Sequence, residues 1–204
     1  SSFAQILNEI GDEAPSVKDA AYFKTAFNTI QSLIRLNQIA AGHDISSGGL
    51  LTALLELCFA DNQLGANIIL PNPSQGGAFG IDDLIKILFS ENSGVLIQAI
   101  EDTEVENAFA KANIEAIKIG TVTDNDTLTI TYGTTTEKFT ISEMRDAWYK
   151  TSHLLDRKQS GKQKADERFE NYKNQLLEFK FPKHFTGKLP SVASILRQAQ
   201  HKIN

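Results

Sequence analysis

The stretch His43-Asp44-Ile45-Ser46-Ser47-Gly48-Gly49-Leu50 leads directly into the apolar run LTALLELCFA at residues 51–60. An acid, two hydroxyls and two glycines stand where an apolar segment hands over to a helix. Residues 37–45 read as a short buried strand. Ser46 or Ser47 is placed to cap a helix over 48–60 by accepting from its first unpaired amides. Strand side chains alternate, so Asp44 and Ser46 share a face. At the carboxyl end of an open α/β sheet, that face looks where such sheets bind ligands. The helix start beyond it favours an anion, and Gly48 and Gly49 let backbone approach a phosphate with no Cβ in the way. A carboxylate beside phosphate oxygens calls for a cation between them, and Mg2+ is commonly held by one or two carboxylates plus phosphates. The pattern therefore points to Asp44 as a magnesium ligand and Ser46 as a phosphate or nucleotide contact. A simple helix cap is the competing reading of both residues.

The neighbouring residues narrow the chemistry. His43 reads either as an acid–base group or as a hydrogen-bonded structural histidine. His43, Asp44 and Ser46 do not make a hydrolytic triad, because sequence neighbours cannot line up as a relay and no G-x-S-x-G elbow is present. A P-loop is excluded by the lack of G-x-x-x-x-G-K-[ST]. Histidines at 43, 153, 184 and 201 lack zinc-ligand spacing. The lone cysteine, Cys58, reads as a small core hydrophobe.

Periodicity sorts the remainder. Residues 1–11 are apolar up to Gly11 and read as a strand. Residues 18–37 carry Ala21, Phe23, Phe27, Ile30, Leu33, Ile34 and Leu36 at helical spacing. Short strands are expected at 67–70, 94–100, 116–122, 128–132 and 138–141, and helices at 81–89 and 101–112. The prolines and glycines of 72–80 make that segment a loop. Ser142 is expected to cap a helix over 143–156 with Met144, Trp148 and Leu155 turned to the core. Helices and strands alternate, then strands cluster. The fold class is α/β (α+β), a mixed β-sheet packed by helices over residues 1–156.

Charge divides the chain at the same place. Residues 1–156 hold nine Lys/Arg against 21 Asp/Glu, a net of −12, whereas 157–204 hold 11 against four, a net of +7. The basic segment, with Pro182, Gly187 and Pro190, reads as a helical and extended linker. It carries no nucleic-acid motif, so its expected contact is acidic protein surface rather than nucleic acid. No apolar run is long enough for a membrane span, and one cysteine suits a reducing cytoplasm.

Four ordered segments carry a resemblance. HDISSGGLLTALLELCFA is similar to the H-D-x-S-[DE]-G-G-L-x-x-x-L-x-E-M-x-F-A segment of the phosphoribosylformylglycinamidine synthase family, within the aminoimidazole ribonucleotide synthetase superfamily. GANIILP, LFSENSGVLIQ and MRDAWYKTSHLLDR follow in the family's order, and FTGKLPS resembles its connection to a glutaminase domain. The resemblance implies the C-terminal half-domain of a synthetase-like repeat in an ATP-dependent ligase of purine biosynthesis, inactive as an isolated piece. It implies Mg2+ on Asp44 and ATP or ADP against Ser46, at an auxiliary structural site. The implied partners are preceding synthetase-like domains and a glutaminase domain of one long chain. Ser47 stands where the family has an acid, and Leu57 where it has Met. Glu91, in LFSENSG, is open to two readings, a further ligand or a structural residue of the turn. A scaffold that docks the glutaminase, and a free-standing nucleotide module, are the alternative functions.

Overall fold

The computed structural model describes residues 1–10, 14–60, 63–71 and 80–172. Of the loop expected at 72–80, residues 72–79 lie outside the described residues, as do residues 173–204 of the linker expected at 157–204. Two compact units partition the chain, Ser1–Phe169 and Glu170–Asn204.

The elements are α1 (Ser2–Ile6), α2 (Ala20–Arg35), β1 (Ile39–Ile45), α3 (Gly49–Cys58), β2 (Gly65–Ile69), α4 (Ile81–Phe89), β3 (Gly94–Ala99), α5 (Asp102–Lys111), β4 (Gly120–Thr123), β5 (Thr127–Tyr132), β6 (Thr135–Thr140), α6 (Ile141–Ser160) and α7 (Lys162–Asn171). The strands form two sheets rather than the one expected. β1 and β3 make an antiparallel ribbon, while four strands run in the order β4-β2-β5-β6, with β2 and β5 parallel.

Each sheet has its own apolar core. Leu54 of α3, Leu84 and Leu88 of α4, Ala66 and Ile68 of β2, and Leu128, Ile130 and Tyr132 of β5 bury together with Ile141. Leu128 and Ile141 are fully buried, each worth about 1.5–3 kcal/mol of transfer energy. The second core joins Leu33 of α2 to Val105 and Phe109 of α5 and to Ile114. The ribbon lies between the two, sending Leu96 to the first core and Ile39, Ile97 and Ala99 to the second.

Local chemistry explains most boundaries. Asp19 caps α2 by accepting from the Ala21 and Tyr22 amides at 2.9 and 3.0 Å. The β5–β6 hairpin turns on Gly133 at φ 60°. Three expectations need correction. Residues 2–6 form α1 and not a strand, because Ser1 caps the segment and Phe3 stacks on Phe89, centroids 4.3 Å apart. Ser142 does not cap α6. It lies inside the helix and donates its amide to Asp126 at 2.9 Å, so a residue of the β4–β5 connection caps this helix from afar. Trp148 and Leu155 are more than half exposed or nearly so, not core.

Candidate functional site

Asp44 lies in β1, whereas Ser46 lies past the strand's end in the turn that leads to α3. The even-numbered positions of β1 are its exposed ones, and Ser46 just beyond the strand is exposed as well. The Asp44 side chain is 74% exposed, with Oδ1 3.9 Å from His43 Nδ1. It borders an open hollow of about 430 Å3 between α2 and the ribbon, floored by Ile30, Ile34, Ile39, Val95 and Ile97.

The wider setting differs from the expected one. β1 pairs antiparallel with β3 in a two-stranded ribbon, so Asp44 does not sit at the carboxyl end of a parallel sheet. Neither Ser46 nor Ser47 caps α3 with its side chain; the cap position is Gly48, at φ 88°. Ser47 Oγ lies instead 2.6 Å from Ser2 Oγ. The two glycines serve the backbone. Gly49 has φ 73°, and a Cβ there would come within 2.6 Å of the Leu88 carbonyl and 2.8 Å of Phe89 backbone, so it seats α3 against the end of α4.

The amide of Gly48, the residue that precedes α3, is already taken. Glu91 Oε1 accepts from the Gly48 N–H at 2.9 Å and from the Ser2 N–H at 2.7 Å. These bonds, Gly48 first, hold the Glu91 carboxyl below its ordinary value. Of the two readings open for Glu91, the hydrogen bonds favour the structural one.

His43 is likewise built into the fold. Its Nδ1 lies 2.7 Å from the Asp44 main-chain oxygen and its Nε2 3.2 Å from Glu56 Oε2. Trp148 Nε1 donates to the other Glu56 oxygen at 2.8 Å. Strand, α3 and α6 are thus joined through one carboxylate. Sequence reasoning did not single out Glu56. The available signal was that it is the only charge in the ten residues of α3. Cys58 behaves as expected of a core thiol, its pKa raised by burial.

For a divalent cation at the hollow, the described lining offers the Asp44 carboxylate. Among the described residues no group of three or more His, Cys, Asp and Glu is arranged to hold a metal. Asp44 fits a single coordination position, and a complete shell needs phosphates, waters and ligands from elsewhere. Among the described residues no helix is long and apolar enough to cross a membrane.

The comparisons agree with this architecture. The chain is 36% identical over 163 residues to "Probable phosphoribosylformylglycinamidine synthase, chloroplastic/mitochondrial" of Arabidopsis thaliana, covering 78% of this chain and 11% of that protein. It is 34% identical over 129 residues to "Probable phosphoribosylformylglycinamidine synthase" of Caenorhabditis elegans, covering 59% of this chain and 9% of that protein. The chain therefore spans about a tenth of the length of the curated relatives it matches. Among solved structures, phosphoribosylformylglycinamidine synthase II from Thermotoga maritima matches with a TM-score of 0.51 at 14% identity, over 86% of this chain and 25% of that one, a likeness of fold. The family described as "AIR synthase related protein, C-terminal domain" matches residues 1–133, and the chain belongs to it.

Proposed function

We propose that this chain is part of a phosphoribosylformylglycinamidine synthase, the ATP-dependent ligase that converts formylglycinamide ribonucleotide and glutamine to the amidine. In this reading Asp44 ligates Mg2+ and Ser46 contacts the nucleotide, ATP or ADP, at an auxiliary site that holds the enzyme together rather than turning over. The chain alone is inactive. Preceding synthetase-like domains supply the remaining ligands and the base pocket, and residues 157–204 lead toward a glutaminase domain, in the cytoplasm. The plant relative's name assigns that protein to chloroplast or mitochondrion. The observation that carries the site is the outward Asp44 carboxylate beside the exposed Ser46, bordering an open hollow.

The test is Asp44→Ala in the full-length protein. Nucleotide and magnesium co-purifying with the enzyme should fall, and thermal stability should fall with them. Unchanged nucleotide content would remove the assignment of Asp44, and amidine synthesis by the isolated chain would remove the reading of it as an inactive part.

A second reading, a domain that docks the glutaminase, is favoured by Phe23, Phe27 and Ile34, half-exposed apolar residues of α2. Under it, Phe27→Ser in the full-length protein lowers glutamine-dependent activity and spares ammonia-dependent activity, while Asp44→Ala is nearly silent.

A further inference from the structure

Ser46, Ser47, Gly48 and Gly49 form a closed turn, with the Gly49 N–H donating to the Ser46 carbonyl at 3.0 Å. Gly48, the third residue, has φ 88° and ψ −3°. Those angles belong to the third position of a type II turn. Types I and II differ by a half rotation of the central peptide, here the one between Ser47 and Gly48. Glycine at the third position tolerates both forms. Something outside the turn must choose between them.

The chooser lies on the α4–β3 connection. Glu91 Oε1 receives the Gly48 N–H, which is the hydrogen of that central peptide. In the opposite flip the Ser47 carbonyl oxygen would face the carboxylate, oxygen against oxygen. The same Oε1 also receives the Ser2 N–H, and Ser2 Oγ meets Ser47 Oγ. The Phe3–Phe89 stack holds α1 beside the connection. One carboxylate oxygen thus ties α1, the α4–β3 connection and the turn to one another.

We infer that Glu91 is a positioning residue: its Oε1 fixes the flip of the Ser47–Gly48 peptide and so sets the conformation in which the turn presents Ser46 beside Asp44. The consequence for ligand binding rests on the reading of Asp44 and Ser46 as a magnesium–nucleotide site. It also redefines where an anion can go, since the Gly48 amide is spoken for and a phosphate must reach Ser46 without it. Because both hydrogen bonds converge on one oxygen, a glutamine at position 91 can keep both by placing its amide oxygen there. Geometry and charge are therefore separable.

The experiment uses the isotope-labelled 204-residue chain with Glu91→Ala and Glu91→Gln. Amide exchange at Gly48 should accelerate about tenfold in Glu91→Ala, with Leu128 and Ile130 unchanged, and stay within about threefold of wild type in Glu91→Gln. With Mg-ADP as probe, shifts at Asp44 and Ser46 should require several-fold more ligand in Glu91→Ala than in Glu91→Gln. Unchanged exchange at Gly48 in Glu91→Ala overturns the inference, as does a glutamine variant that behaves like alanine. A wild-type chain that gives no Mg-ADP shift is what a half-site completed by other domains predicts; the nucleotide reading is then decided by Asp44→Ala in the full-length protein, and the role of Glu91 by the exchange at Gly48 alone.

Discussion

His43 Nε2 lies 3.2 Å from Glu56 Oε2, linking the end of β1 to the last turn of α3. The opposite ring nitrogen faces the Asp44 carbonyl at 2.7 Å. Both ring nitrogens therefore face oxygen acceptors, and a doubly protonated ring donates to both at once. The arrangement spends the Asp44 main-chain oxygen on the fold and turns the carboxylate outward.

Glu56→Ala should unfasten this link at a cost of about 1 kcal/mol, the usual worth of a partly exposed polar contact. Trp148 is the only tryptophan of the chain and donates to Glu56, so its emission reports the change. A red shift is expected for Glu56→Ala. Glu56→Gln should largely preserve the emission, because an amide oxygen still accepts from the indole. Identical spectra for wild type and Glu56→Ala would disprove the link in solution.

Gly49→Ala places a methyl group 2.6 Å from the Leu88 carbonyl in a left-handed backbone conformation. Destabilisation of about 1–3 kcal/mol is expected from the backbone strain alone, read from denaturant midpoints. A midpoint equal to wild type would mean that α3 and α4 part freely. The same measurement on Asp44→Asn in the isolated chain without nucleotide should give no loss, as that side chain is mostly exposed.

Leu128→Ala empties the centre of the four-stranded sheet, where Leu128 is fully buried. A loss of about 2–5 kcal/mol is expected. Calorimetry should show it as a lower melting temperature with the transition still cooperative.

Acid should weaken the fold through three carboxylates. Glu91 is held low by Gly48 and then Ser2, Asp156 by Arg168 and then Ser160, and Asp166 by Lys162 and then His153. A carboxyl group with a lowered folded value binds fewer protons folded than unfolded. Its contribution is complete above the unfolded value, about pH 4 for such groups, and is lost as pH falls through the lowered one. The melting temperature should stay level above about pH 5 and decline below about pH 4. Solvent screening keeps each share small. Arg168→Ala should make the decline shallower, since Asp156 then titrates nearer its ordinary range. An acid profile identical to wild type would show that the α6–α7 pairing contributes nothing.

Elements whose residues bury by their own periodicity were legible in the sequence: α2, α4, α5, β1, β2, β3 and β5 stand close to their expected positions, whereas β4 begins four residues later and β6 three residues earlier than expected. What escaped was set by partners distant in the chain. The five residues of α1 are too few to hold a helix unaided, and their docking depends on Phe89 and Glu91. The start of α3 looked like a serine cap, but the cap position is Gly48, no side chain caps the helix, and Glu91 holds the Gly48 amide from the α4–β3 connection. A stripe through Trp148 suggested core, whereas the indole lies half exposed with its N–H turned to Glu56. The exposure of Asp44 was legible, because alternation along a strand needs no tertiary knowledge, whereas Ser46 lies past the end of β1 in the turn, where that alternation no longer applies.

The parallel pairing of β2 with β5 also governs how the chain reaches this state. Ala66 aligns with Leu128 and Ile69 with Thr131, with α4, β3, α5 and β4 lying between them in the chain. Closing so long a loop consumes chain entropy before any ladder bond repays it. The β5–β6 hairpin, joined through Gly133, can form on its own at once, whereas β2 has to wait for its partner. Until β2 docks, one side of β5 offers unpaired amides and carbonyls to any other strand. The interval between hairpin and sheet is thus when this chain is most open to aggregation.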